Sequence, residues 1–172
     1  LIILNTMLQR YGGPGEGDVL VTCATIVQSY MCIITMPLGG LTSGTQPVVS
    51  FNYGAGNVAR IRKAVKYICL ICLGFTALMT VFTYTLSPLF VRLFTADGVL
   101  AARSVRYIKI FTLGIIPLAI QYALVDQTTA LGHLRLALFC SLLRKSTFLA
   151  AMLLLPFLLA ADAVFFAEPI CD

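Results

Sequence analysis

Four residues on one stretch of the chain carry the side chains best suited to handling an ion. Tyr122, Asp126, Thr129 and His133 recur at i, i+4, i+7 and i+11, a spacing that lays them along one face of an α-helix. Asp126 sits about 9 Å inside the helix end marked by Gly132. A carboxylate at such depth in an apolar span usually faces a cavity or a partner and often belongs to an ion pathway. The competing use is an acid shallow enough to reach headgroups or to pair structurally. Arg144 and Lys145 lie about 13 Å into the next apolar stretch, within a turn or so of the depth of Asp126. An Asp126–Arg144 ion pair fits that spacing, and snorkelling of the cations toward the headgroups is the alternative. Gln28, Gln46, Asn52, Gln121 and Gln127 place neutral hydrogen-bonding groups inside apolar runs. Such groups can line a substrate path, for which Gln28, Gln46 and Gln121 are the candidates, although bonding between helices is their commoner use.

Other chemistries find less support. Cys69-x-x-Cys72 has the spacing of a redox or metal motif but lacks a second ligand pair, a nearby His and a preceding strand. Five of the six cysteines fall inside apolar runs, where a thiol behaves as a small buried hydrophobe, so no disulfide framework is expected. The glycines of Asn52-Tyr53-Gly54-Ala55-Gly56-Asn57 resemble a phosphate loop only until its missing strand and missing Gly-Lys-Ser/Thr ending are noticed. A Ser/His/Asp set and a close pair of carboxylates are both absent, and the single His has no partner at metal-ligand spacing. The chain is therefore expected to be no enzyme and to need no cofactor or metal.

The elements that hold these residues follow from composition. Of 172 residues, 59% are hydrophobic and 11% charged, and mean hydropathy is +0.95. A soluble domain carries about 25% charged residues, and a soluble chain this short has too little interior for so much apolar side chain. Soluble enzyme, nucleic-acid binder and disordered tail are excluded in favour of an integral membrane protein. Its net charge of +5 gathers between the apolar runs, as expected for headgroup contacts rather than a nucleic-acid patch. No charge falls within 19–59, 67–91, 110–125 or 146–161.

A spanning helix needs about 20 mostly apolar residues. Val19–Leu41, Tyr67–Val91, Ile108–Leu131 and Leu136–Leu159 meet that requirement. Leu1–Gln9 reads as the end of a helix and Ala163–Asp172 as the start of another. The expected fold is all-α: a polytopic bundle of four complete spans plus two truncated helices, forming a single transmembrane domain over 1–172. No signal peptide is expected, and the chain reads as a piece of something longer.

Breaker residues mark the connections. Tyr11–Asp18 holds four glycines and a proline and ends in Asp18, a candidate N-cap. Thr95–Gly98 precedes an amphipathic stretch in which Arg103, Arg106 and Lys109 form a basic stripe. Leu131–Arg135 is a tight hairpin that makes its two flanking helices antiparallel neighbours. Pro37, Gly39, Gly40, Gly44 and Pro47 predict a bend near Pro37–Gly44, and Gly40-x-x-x-Gly44 predicts close approach of another helix. The acid-free cluster Arg60, Arg62, Lys63 and Lys66 is placed in the cytoplasm.

A long bent helix that closes in Gln46-Pro47 and Asn52-Tyr53-Gly54-Ala55-Gly56-Asn57, trailed by Arg60, Arg62 and Lys63, resembles the multidrug and toxic compound extrusion (MATE) transporters. Asn5 with Tyr11-Gly12-Gly13 is similar to the end of that family's seventh helix. Leu93–Asp97 is similar to its connection between helices nine and ten. Ala130-Leu131-Gly132, Leu143-Arg144 and Ala167–Asp172 follow in the order of its last three helices. The resemblance implies a twelve-helix antiporter in two six-helix lobes, of which this is most of the C-terminal lobe, the N-terminal lobe being the partner left out. It further implies export of organic cations or other amphipathic drugs across the cell (inner) membrane in exchange for sodium ions or protons. Asp126, with Tyr122, is then the candidate for the coupling ion. It does not align with the acid of the better-known branches, so its candidacy rests on the polar stripe. A lipid-linked oligosaccharide flippase of similar architecture is the alternative, though it should carry more cations than Arg144 and Lys145. A membrane fragment without transport function is the other.

Overall fold

The charge-free runs become helices in the computed structural model, which describes residues 2–13, 15–158 and 161–171. Eight α-helices follow in order: α1 (Ile2–Gly12), α2 (Glu16–Gly44), α3 (Gln46–Gly54), α4 (Val58–Arg92), α5 (Gly98–Phe111), α6 (Ile115–Ala130), α7 (Leu134–Leu158) and α8 (Ala167–Cys171). Short 3-10 segments, Thr112–Gly114 and Ala161–Phe166, link α5 to α6 and lead into α8. No strand occurs among the described residues. Leu1, Leu159 and Asp172, at the ends of expected helices, lie outside them.

Four helical stretches are long and apolar enough to cross a membrane: Glu16–Gly54, Val58–Arg92, Gly98–Ala130 and Leu134–Phe157. Each contains the body of one expected span. The amphipathic basic stretch after Gly98 proves to be the opening of the third crossing, joined to its apolar half through the 3-10 turn. Its start is fixed by Asp97, whose carboxylate accepts from the Val99 amide at 2.9 Å and so satisfies one of the helix's orphan donors. Asp18 does not cap α2. The cap position is Gly15, at φ 91°, and Asp18 falls in the first turn, where a carboxylate still complements the helix dipole.

The helical run is interrupted just past the stretch expected to bend. Pro37 lies inside α2 without ending it, and the interruption falls at Thr45. Pro47 explains the shift, because it occupies the first turn of α3, where a missing N–H costs nothing. The hydroxyls of Thr42 and Ser43 donate to Gly39 O, and that of Thr45 to Leu41 O and Thr42 O. Gly40 and Gly44 are exposed, and a Cβ added to either would meet no atom within 4 Å. The close helix approach instead occurs at the first hairpin. A Cβ on Gly12 would come 2.8 Å from the Gly17 Cα, and one on Gly17 would come 3.1 Å from the Gln9 Cα. Glycines that mark a loop in the sequence thus also press α1 against α2.

Two apolar clusters form the interior. The first joins α1, the first two-thirds of α2, the end of α4, α5, the start of α6, α7 and α8 around Leu8, Leu20, Ile34 and Ile108. Here Tyr107 stacks on Phe165 with ring centroids 4.0 Å apart. The second joins the end of α2 to α3, α4 and α6 around Leu38, Val49, Ile68, Ala119 and Ala123. Phe75 and Tyr122, partly buried, pack against both. Along α4 the buried face runs Ile68, Cys72, Thr76, Thr83, Ser87 and Val91. Thr83 donates to Met79 O at 2.8 Å, so in its 3.0 Å bond with Tyr30 the phenol is the donor. Arg60, Arg62, Lys63 and Lys66 extend in the first turns of α4, all exposed.

Candidate functional site

The hairpin at Gly132, whose φ is 81°, folds α7 back along α6 and brings the sequence's most polar positions together. Gln121, Tyr122, Val125 and Asp126 from α6 face Ser141, Arg144 and Lys145 from α7 across a cleft of about 240 Å³. On α6 these positions recur at helical spacing. On α7, Ser141 and Arg144–Lys145 are three and four residues apart, again one face. A larger groove of about 800 Å³ lies between the end of α4 and the start of α5. Its lining holds Arg92 as the one charged residue, and no acid accompanies it.

The ion pair expected between Asp126 and Arg144 is not the one formed. Arg144 Nη2 donates to Glu168 Oε1 at 2.8 Å, with side chains only 10% and 16% exposed. The reason is the packing face of α7. Its buried residues are Ala137, Arg144, Met152 and Pro156, a narrow stripe with an arginine in the middle. A guanidinium turned inward needs a carboxylate at the same depth, and α8 supplies it. Glu168 acquires its role only because the 3-10 turn Ala161–Phe166 returns the chain toward α7.

Asp126 is thereby left with neither a hydrogen bond nor an ion pair among the described residues. The same holds for Gln121, the Tyr122 hydroxyl, Ser141 and Lys145. Ser141 makes the contrast plain. Thr128, Thr129, Ser146 and Thr147, the hydroxyls of α6 and α7 outside the cleft, all donate to carbonyls of their own helix. The two hydroxyls that line the cleft, Ser141 and Tyr122, do not. A carboxylate, ammonium, amide and two hydroxyls without bonding partners among the described residues can bind a charged or strongly polar guest, and the half-buried setting of all but the exposed Lys145 strengthens those contacts relative to water.

The remaining sequence candidates lie elsewhere. Gln28 is half-buried on α2 and Gln46 half-buried at the start of α3, neither lining this cleft. Thr129 and His133 leave the stripe, the first bonded to Val125 O and the second exposed in the hairpin. Gln127 is buried and acts between helices: its amide donates to Thr42 O and to Thr45 Oγ1, each at 3.3 Å, fastening α6 to the α2–α3 break. Ser50 makes a parallel tie, its hydroxyl donating to Ala130 O at 2.9 Å. Ser141 and Glu168 were not singled out as site residues from sequence. The i, i+3 and i, i+4 relation of Ser141 to Arg144 and Lys145 is the signal that points to the first. No local signal points to the second as partner of Arg144.

A family model described as MatE matches residues 2–154. Among solved structures, an outward-facing conformation of a multidrug resistance MATE family transporter of the MOP superfamily is similar at a TM-score of 0.87 and 16% identity, over 99% of this chain and 38% of that one. An inward-facing conformation of a multidrug resistance MATE family transporter is similar at 0.82 and 16% identity, over 98% of this chain and 39% of that one. These likenesses concern the fold, and the chain spans less than two-fifths of the length of either structure. No curated protein matches it.

Proposed function

The chain belongs to the MatE family, and from that premise we propose that it forms the C-terminal lobe of a secondary-active antiporter in the cell (inner) membrane. The transporter exports organic cations or other amphipathic compounds against an inward flow of sodium ions or protons. A six-helix N-terminal lobe is its partner, and the substrate path runs between the two. The observation that carries this reading is Asp126, a half-buried carboxylate of a spanning helix with no bonding partner among the described residues. An acid held in that state is costly unless a cation or a proton visits it.

In this reading the carboxylate alternates between two guests. With the coupling ion bound it is neutralised, aided by the Tyr122 hydroxyl on the next turn. When that ion leaves toward the side of low concentration, the cationic group of a substrate takes its place.

Full-length protein reconstituted in liposomes, with sodium and proton gradients imposed separately, tests the assignment. Asp126→Asn is expected to reduce gradient-driven movement of a fluorescent amphipathic cation to the level of protein-free vesicles, while insertion and thermal unfolding stay at the parent's values. Transport at the parent rate would show that Asp126 is structural.

A further inference from the structure

Deepening the transport reading and resting on it, we propose that the α6–α7 cleft selects compounds bearing an acidic group beside their cationic one, with Lys145 as the residue that recognises the acid. Two charges around the cleft lack protein partners among the described residues, and they have opposite sign: Asp126 on α6 and Lys145 on α7. They make no ion pair with each other. The third charge, Arg144, makes its ion pair with Glu168. A guest carrying only a cation would satisfy Asp126 and leave the ammonium facing it across the same small volume. A guest carrying both charges satisfies both at once.

The neutral lining agrees. Gln121 offers both a donor and an acceptor, and Tyr122 and Ser141 each offer a hydroxyl that no neighbour uses. Ser141 lies one helical turn from Lys145, placed to donate to the same carboxylate that the ammonium holds. Tyr122 lies one turn from Asp126, on the cation side. The cleft is thus divided, with α7 supplying donors for an anionic group and α6 the acceptor for a cationic one. A lysine is suited to such a task because its ammonium is a compact point charge with three donors.

Two fluorescent probes that share one aromatic monocationic scaffold, one of them with an added carboxylate, test the assignment on full-length protein in nanodiscs. The parent is expected to bind the carboxylate-bearing probe about tenfold more tightly, the gain of one charge-assisted contact. Lys145→Gln is expected to remove that preference by weakening the carboxylate-bearing probe and not the monocation, which loses a like charge across the cleft, whereas Lys145→Arg retains the preference. Equal affinity of the parent for the two probes would overturn the inference, whatever the variants do. Equal weakening of both probes by Lys145→Gln would do the same and make Lys145 a structural residue of the cleft. If the parent shows no gradient-driven movement of the monocation, the transport reading fails, yet the binding preference still decides the role of Lys145.

Discussion

At the scale of single residues, the pairing of Arg144 with Glu168 has a consequence for stability distinct from that for transport. Both side chains are nearly buried, so removing one strands the other in an apolar setting. Arg144→Leu is expected to destabilise the bundle by about 3–5 kcal/mol, and Arg144→Leu with Glu168→Leu to recover most of that loss. Thermal unfolding of the detergent-solubilised protein measures both. A double variant no better than the single would show that the two charges do not act as a pair. The arginine and its depth are legible in the sequence, whose spacing points to Asp126 where the structure has Glu168. The spacing across the Gly132 hairpin is readable because a tight turn fixes register, so Asp126 is an obvious neighbour. The approach of Glu168 depends on a 3-10 return through Ala161–Phe166, which no helical periodicity encodes.

Helices were the most legible part of the molecule, because spans of charge-free sequence have only one way to satisfy their backbone in lipid. Prolines and glycines are the residues whose roles local sequence does not separate. Pro37 carries the same chemical signature as Pro47, yet only Pro47 meets a helix start, and the break follows it to Thr45. Glycine likewise looks the same in sequence whether it frees the backbone or lets another backbone near. The structure separates these uses, and opposite outcomes are expected from the same substitution. Gly12→Ala drives a methyl to 2.8 Å from the Gly17 Cα and should cost about 1–3 kcal/mol as overpacking. Gly39→Ala places its methyl 3.7 Å from the Tyr122 ring, an ordinary contact, and should stabilise α2 by up to about 1 kcal/mol through helix propensity. Chemical-denaturation midpoints of the two variants give the signs.

For the whole molecule, the exposed cluster Arg60, Arg62, Lys63 and Lys66 sets an expected orientation, with the start of α4 in the cytoplasm. In a background without native cysteines, Glu16→Cys and Ala59→Cys should react with an impermeant thiol reagent from opposite faces, Ala59→Cys from the cytoplasmic one. Labelling of both from one face would overturn the arrangement of crossings. The two interior clusters share Phe75 and Tyr122 at their border, and Tyr122 also lines the candidate cleft. A beam that rocks on a fulcrum moves least at its support and most at its tips. Tyr122 stands at such a support: the ring that walls the cleft is one of the two on which the clusters meet, so the cleft is anchored to the packing of both.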